Sequence, residues 1–152
     1  MRTFEEMTPV LREFSRAMSK YAILDRKAFD FGIGIKLFPA EIHMLTAIEQ
    51  KNGIGVTELA EEFRITKGAV SQLVAKLAKK ELVLKTTNPE HGSRVLIKVT
   101  NLGRTACQHH VEFHKKHDKE FFEYLGQLDE NSYEIIRKMG QQMNLWMDNY
   151  LK

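Results

Sequence analysis

A chain of 152 residues and 17.6 kDa, 43% apolar and 28% charged, has the size and composition of one globular domain, which excludes disordered and collagen-like architectures. Its apolar runs stop at four or five residues, short of the roughly 20 needed to span a bilayer, and Met1-Arg2-Thr3-Phe4-Glu5-Glu6 lacks the apolar core of a signal peptide, so a cytoplasmic protein with no membrane partner is expected. The single cysteine, Cys107, excludes an intramolecular disulfide and a Cys-rich zinc finger, and the net charge of +3 hides a division: Arg64 to Lys98 holds eight basic residues against two acidic ones, a net +6, while the remainder sums to −3. Such a concentration is the footprint of a polyanion-binding unit.

Phe4, Met7, Leu11, Phe14, Met18 and Tyr21 are spaced 3, 4, 3, 4, 3, which puts them on one face of a first helix. Two starts compete for it: Thr8 with Pro9 as N-cap and first residue, or Thr3 with Glu6 as a capping box. Asp30 to Phe38, with Gly32 and Gly34, reads as a loop, and Pro39 opens a second helix through about Gln50.

The centre carries the most specific pattern. Thr57 is expected to cap a short helix with Leu59, Ala60 and Phe63 inward; after Arg64-Ile65, Thr66 caps another with the stripe Val70, Leu73, Val74 and Leu77. Ala60 is small where two helices approach and Ile65 is expected to fill the corner, which is helix-turn-helix spacing. The outward residues Lys67, Gly68, Ala69, Ser71, Gln72, Ala75 and Lys76 are short or polar, as suits a helix laid in the major groove. Leu82 to Thr87 and Arg94 to Thr100 then flank a Pro- and Gly-containing turn, a hairpin whose basic residues can reach the phosphate backbone or the minor groove.

A fifth helix is expected from about Leu102 to Leu125, and Asp129 is placed as N-cap of a last one, in which Tyr133, Ile136, Gly140, Met143, Met147 and Tyr150 repeat the 3, 4, 3, 4, 3 spacing. Apolar stripes at both ends of a small chain fit the faces of a homodimer. His109, His110, His114 and His117 crowd the fifth helix. His110, His114 and His117, at i, i+4 and i+7, share a face with Cys107, whereas His109 is turned about 100° away from His110. An imidazole pair one turn apart can grip one metal ion. A zinc-protease reading fails because Glu112 is rotated about 200° from His110, and no phosphate loop or nucleophile elbow is present, so no enzymatic activity is expected.

Val56-Thr57-Glu58-Leu59-Ala60, Ile65-Thr66-Lys67-Gly68-Ala69-Val70-Ser71, Leu77 and Val99-Thr100-Asn101-Leu102-Gly103 together resemble the MarR family of transcription regulators, over essentially the whole chain. The resemblance implies a mainly α fold with a small β wing: a winged helix-turn-helix lobe at 36–100, with 1–35 and 101–152 as dimerisation helices of a single domain. It implies a pseudo-palindromic operator duplex as partner, with Arg64, Lys67, Gly68, Ser71, Gln72, Lys76 and Arg94 facing it. Two departures stand out. The wing tip reads His91-Gly92-Ser93 with Arg94 one position late, and Arg64 occupies a position where a turn glycine is common.

The zinc-responsive branch of that family has an acidic residue late in its first helix, a histidine early in its second and an H-x-x-x-H pair in its fifth. Those positions fall on Asp25, His43, His110 and His114, which implies one divalent metal site, zinc favoured, with Mn²⁺, Fe²⁺ and Ni²⁺ as alternatives. The branch's second site uses a cysteine where this chain has Phe31, so it does not carry over. Two other readings remain open at this point: a regulator answering a small aromatic effector, and a constitutive DNA-architecture protein without sequence preference.

Overall fold

The computed structural model describes residues 1–87 and 95–150. In chain order these form helix α1 (Phe4–Leu24), strands β1 (Phe29–Asp30) and β2 (Lys36–Leu37), helices α2 (Pro39–Gln50), α3 (Val56–Phe63) and α4 (Lys67–Lys79), strands β3 (Val83–Thr87) and β4 (Val95–Val99), then helices α5 (Asn101–His117), α6 (Lys119–Gly126) and α7 (Glu130–Asp148). The mainly helical fold with a small β wing is as expected. The chain divides into two compact units, Met1–Val111 and Glu112–Lys152, a boundary that falls within α5.

The start of α1 goes to the capping box: the Thr3 hydroxyl accepts the Glu6 N–H at 3.3 Å and the Glu6 carboxylate accepts the Thr3 N–H at 2.8 Å, leaving Pro9 inside the helix. The stretch expected as a loop contains a miniature hairpin instead, β1 pairing antiparallel with β2 through Phe29↔Leu37 and Asp30↔Lys36. Asp30 shapes its turn by accepting the N–H groups of Ile33 (3.1 Å) and Gly34 (3.2 Å).

The core of the first unit lies where α2, α3, α4, the wing strands and the start of α5 meet. Leu37, Ile42, Met44, Leu45, Ile48, Leu59, Val70, Val74, Leu77, Leu82 and Ile97 are buried there, and each large aliphatic side chain removed from water contributes roughly 1.5–3 kcal/mol. Thr66 caps α4 as expected, accepting the Ala69 N–H at 3.2 Å. Thr57 does not cap α3. The N-cap is Gly55, whose N–H the Glu58 carboxylate takes at 2.9 Å, so the helix begins before Thr57. Ile65, expected in the corner, is 38% exposed, while Leu59 and Ala60 are buried. Arg64 ends α3 with φ +53°, the left-handed conformation that favours glycine and costs other residues on the order of 1 kcal/mol.

Strand β3 pairs antiparallel with β4 from Val83↔Val99 to Thr87↔Val95, and Ile54, just before α3, bridges to Ile97 and ties the wing to the helix-turn-helix. The helix expected from Leu102 to Leu125 is two helices, α5 and α6, divided at Asp118. Asp129 caps α7, its carboxylate accepting the Ser132 N–H at 2.8 Å. None of α1, α6 and α7 has a buried residue, and among the described residues no helix is long and apolar enough to cross a membrane.

Candidate nucleic-acid interface and metal centre

Helix α4 turns Val70, Val74 and Leu77 inward, with Leu73 half-buried, because apolar residues recur at every third or fourth position. Lys67, Gly68, Ser71, Gln72, Ala75 and Lys76 are all exposed on the opposite face, and Arg64 is exposed at the turn before it. A polar, partly cationic helical face with no acidic residue can enter a major groove, where Gln can bond adenine with two hydrogen bonds. Lys85 on β3 and Lys98 on β4 add exposed cations to the wing. Arg94 lies outside the described residues, as does the rest of the wing tip.

The far end of α4 is anchored. Lys80, its C-cap, places its ammonium 2.7 and 2.8 Å from the two carboxylate oxygens of Glu41 and 3.0 Å from the Lys36 carbonyl. Glu41 is only 3% exposed, and its carboxylate also accepts the Phe38 N–H at 2.9 Å, at the N-terminus of α2. An ion pair between distant elements thus ties the C-terminus of α4 to α2.

Two residues further along α2, His43 enters a group of three histidines. His43, His110 and His114 each present a donor atom, and the three atoms lie within 4.8 Å of one another. His43 is exposed, His110 buried and His114 half-buried. The rings of His43 and His110 are 5.5 Å apart, and the Phe31 ring stands edge-on to His110 at 5.2 Å. Around a tetrahedral zinc, nitrogens at about 2.0–2.1 Å from the ion are about 3.3 Å apart, so closing on an ion asks these donors to approach by at most about 1.5 Å. The donor set fits. Three imidazoles suit Zn²⁺ and other borderline divalent ions, and the partial burial of the group limits competition from water.

Asp25, at the C-cap of α1, is exposed and stands outside this group. The other residues of the histidine-rich helix have separate engagements. Cys107 is buried beneath Thr46, whose hydroxyl lies 3.9 Å from its sulfur, and burial pushes its thiol up to about 12. His117 packs its ring on Phe113 at 4.3 Å. His109, off the ligand face as expected, is not idle: its Nδ1 donates to the Phe31 carbonyl at 2.6 Å. Its ring fills the space that a Cβ at Gly32 would occupy, where φ is +73°. His114 Nδ1 is hydrogen-bonded to the carboxylate of Asp118, a residue the sequence pattern left without a role.

Comparisons with known proteins agree with this architecture. Residues 37–92 match the model of the MarR family. The curated relative HTH-type transcriptional regulator PchR of Bacillus subtilis (strain 168) is 24% identical over 102 residues, 67% of this chain and 60% of the relative, so the chain spans less than two thirds of its length. Among solved structures, the zinc-responsive MarR family member ZitR of Lactococcus lactis superposes with a TM-score of 0.65 at 17% identity, covering 95% of this chain and 99% of ZitR. The adhesin competence repressor AdcR of Streptococcus pyogenes gives 0.66 at 16% identity, covering 91% and 95%. At these identities the structural matches speak for the fold alone. The family match coincides with α2 through the first wing strand, where the chain has built a helix-turn-helix joined to a β wing, and over that region the chain is similar to the MarR family and has a winged helix-turn-helix fold.

Proposed function

We propose that this chain is a sequence-specific DNA-binding transcriptional regulator of the MarR type, a cytoplasmic repressor acting as a homodimer on a pseudo-palindromic operator, whose DNA affinity is set by a divalent metal, zinc by preference. The DNA reading is supported by the exposed face of α4. In it, Lys67, Ser71 and Gln72 approach base edges, Gly68 admits the backbone close to the duplex, and Arg64, Lys76 and Arg94 contact phosphates or the minor groove. The dimer reading is supported by the apolar stripes of α1 and α7, where Phe4 is 72% and Tyr133 48% exposed within this chain. Relatives known as ZitR and AdcR are described as zinc-responsive and zinc-dependent respectively, and ZitR has been solved in complex with DNA.

The observation that carries the metal reading is the convergence of His43, His110 and His114 from two helices far apart in sequence. In this reading Asp25 is the fourth ligand. A bound divalent ion would supply a crosslink between α2, which leads into the helix-turn-helix, and α5, which leaves the wing. His43 holds the α2 side of that link, while His110 and His114, one turn apart, hold the α5 side. Metal that favours the DNA-competent arrangement is, by linkage, bound more tightly on DNA.

The test is zinc stoichiometry and chelator-competition affinity on untagged protein. Wild type is expected to take up about one ion per protomer, and His110→Ala or His114→Ala to abolish stoichiometric uptake while leaving the helical content unchanged. Wild type that takes up no zinc, and binds DNA equally well with chelator, would remove the metal reading and leave the aromatic-effector regulator.

A further inference from the structure

We infer that Asp118 is a positioning residue of the metal centre: its carboxylate holds the His114 ring by Nδ1–H and commits the opposite nitrogen, Nε2, to the ion. The inference rests on the proposed metal site and names a residue outside its ligand set.

Asp118 stands in a capping position but does not cap. Asp118 is the N-cap of α6, a position at which aspartate ordinarily accepts an N–H from the first turn of its helix. Asp129 does this at α7, with extended φ −65° and ψ 160° and its carboxylate 2.8 Å from the Ser132 N–H. Asp118 instead has φ −107° and ψ 11°, and its side chain makes no capping bond. The carboxylate points back along α5 and bonds Nδ1 of His114, one turn earlier. A cap bond stabilises a helix start, and α6 does without one from Asp118.

Imidazole chemistry gives this bond a consequence. A neutral ring carries one proton on one of two nitrogens, and only the bare nitrogen can ligate a metal. A carboxylate acceptor at Nδ1 draws the proton there and leaves the Nε2 lone pair for an ion. It also restricts rotation of a half-exposed ring. His114 belongs to the three-histidine group, so with the proton held on Nδ1 the nitrogen that would ligate an ion there is Nε2. Helix α5 ends at His117, and this end of the helix thereby delivers Asp118 to the back of a ligand. A merely structural His–Asp surface pair would contribute to stability and have no bearing on zinc.

The experiment measures zinc affinity by competition with a chromogenic chelator for wild type, Asp118→Ala, Asp118→Glu and His114→Ala, and for the double variant with both positions alanine. Asp118→Ala is expected to weaken zinc about 10- to 100-fold, with Asp118→Glu recovering most of the loss. In the His114→Ala background the change at 118 is expected to have no further effect. Imidazole ¹⁵N shifts of the metal-free protein at mildly alkaline pH give a readout independent of metal: His114 carries its proton on Nδ1 in wild type, and loses that preference in Asp118→Ala. Zinc affinity within twofold of wild type in Asp118→Ala, or an equal loss in the His114→Ala background, overturns the inference while the metal site stands. Absence of zinc from wild type overturns the site, and the inference with it.

Discussion

Replacing Lys80 by methionine keeps most of the side-chain volume and removes the ammonium that faces Glu41 at 2.7 and 2.8 Å. The carboxylate left behind is 3% exposed and keeps one donor, the Phe38 N–H at 2.9 Å. Breaking a buried ion pair at one partner costs about 3–5 kcal/mol. Here Lys80 itself is 27% exposed, so water can follow into the gap, and the retained backbone donor offsets part of the loss. The expected cost is therefore about 2–3 kcal/mol, at or just below the lower bound of that range. With a urea m-value of about 1–3 kcal/mol per molar, the unfolding midpoint falls by about 0.7–3 M. Far-UV circular dichroism against urea, at one fixed protein concentration so that association contributes equally, reads this directly. Adding Glu41→Leu to Lys80→Met should recover most of the loss, because the uncompensated charge is gone, and leave about 1 kcal/mol for the unpaired Phe38 N–H. A Lys80→Met midpoint equal to wild type would refute the claim that this pair holds the end of α4 to α2.

Other outcomes follow from single features of the structure. Gly103→Ala should lower the melting temperature by several degrees despite the roughly 1 kcal/mol gain in helix propensity, because the new Cβ falls on the Leu82 carbonyl oxygen, a backbone atom that also accepts the Thr100 N–H; a higher melting temperature would contradict that packing. Cys107 should resist a thiol reagent at pH 8 in the native protein and react fully in urea. With its thiol pushed from 9.0 to about 12 by burial, the unfolded chain ionises first, so this group's contribution to stability is intact below pH 9 and is lost as pH climbs towards 12. Phe14→Glu or Met143→Glu should shift the protein from dimer to monomer in light scattering, each placing a charge in an apolar stripe that the chain leaves half-covered; a stable, fully dimeric double variant would place the interface elsewhere.

What could be read from the sequence was whatever has a local physical signal. The 3, 4 spacing of Phe4 to Tyr21, the Thr66 cap, the β-branched wing strands and the i, i+4 pair His110 and His114 each reappear in the structure as expected. Features decided by competition were harder to read. Thr57 looked like a cap, but the Glu58 carboxylate satisfies the Gly55 N–H and moves the helix start upstream. Strands β1 and β2, two residues each, are too short to carry an alternation. The break at Asp118 is masked because the residues on either side of it keep a helical composition. His109 illustrates the same limit: rotation correctly turned it off the ligand face, yet its bond to the Phe31 carbonyl joins residues 78 apart and leaves no local trace. That bond also makes His109→Ala a poor control for the metal variants, since it frees the β1–β2 turn as well.

The central claim, that metal held by His43, His110 and His114 governs DNA binding, is most directly tested by one equilibrium titration. A duplex selected from a random pool by the wild-type protein is labelled and titrated by fluorescence anisotropy at constant salt, with zinc and with excess chelator, for wild type and for His110→Ala. The account predicts that wild type binds at least about tenfold more tightly with zinc, a coupling of about 1.4 kcal/mol, and that His110→Ala binds equally under both conditions. Wild type that carries zinc and yet binds the duplex with the same affinity in both would contradict it.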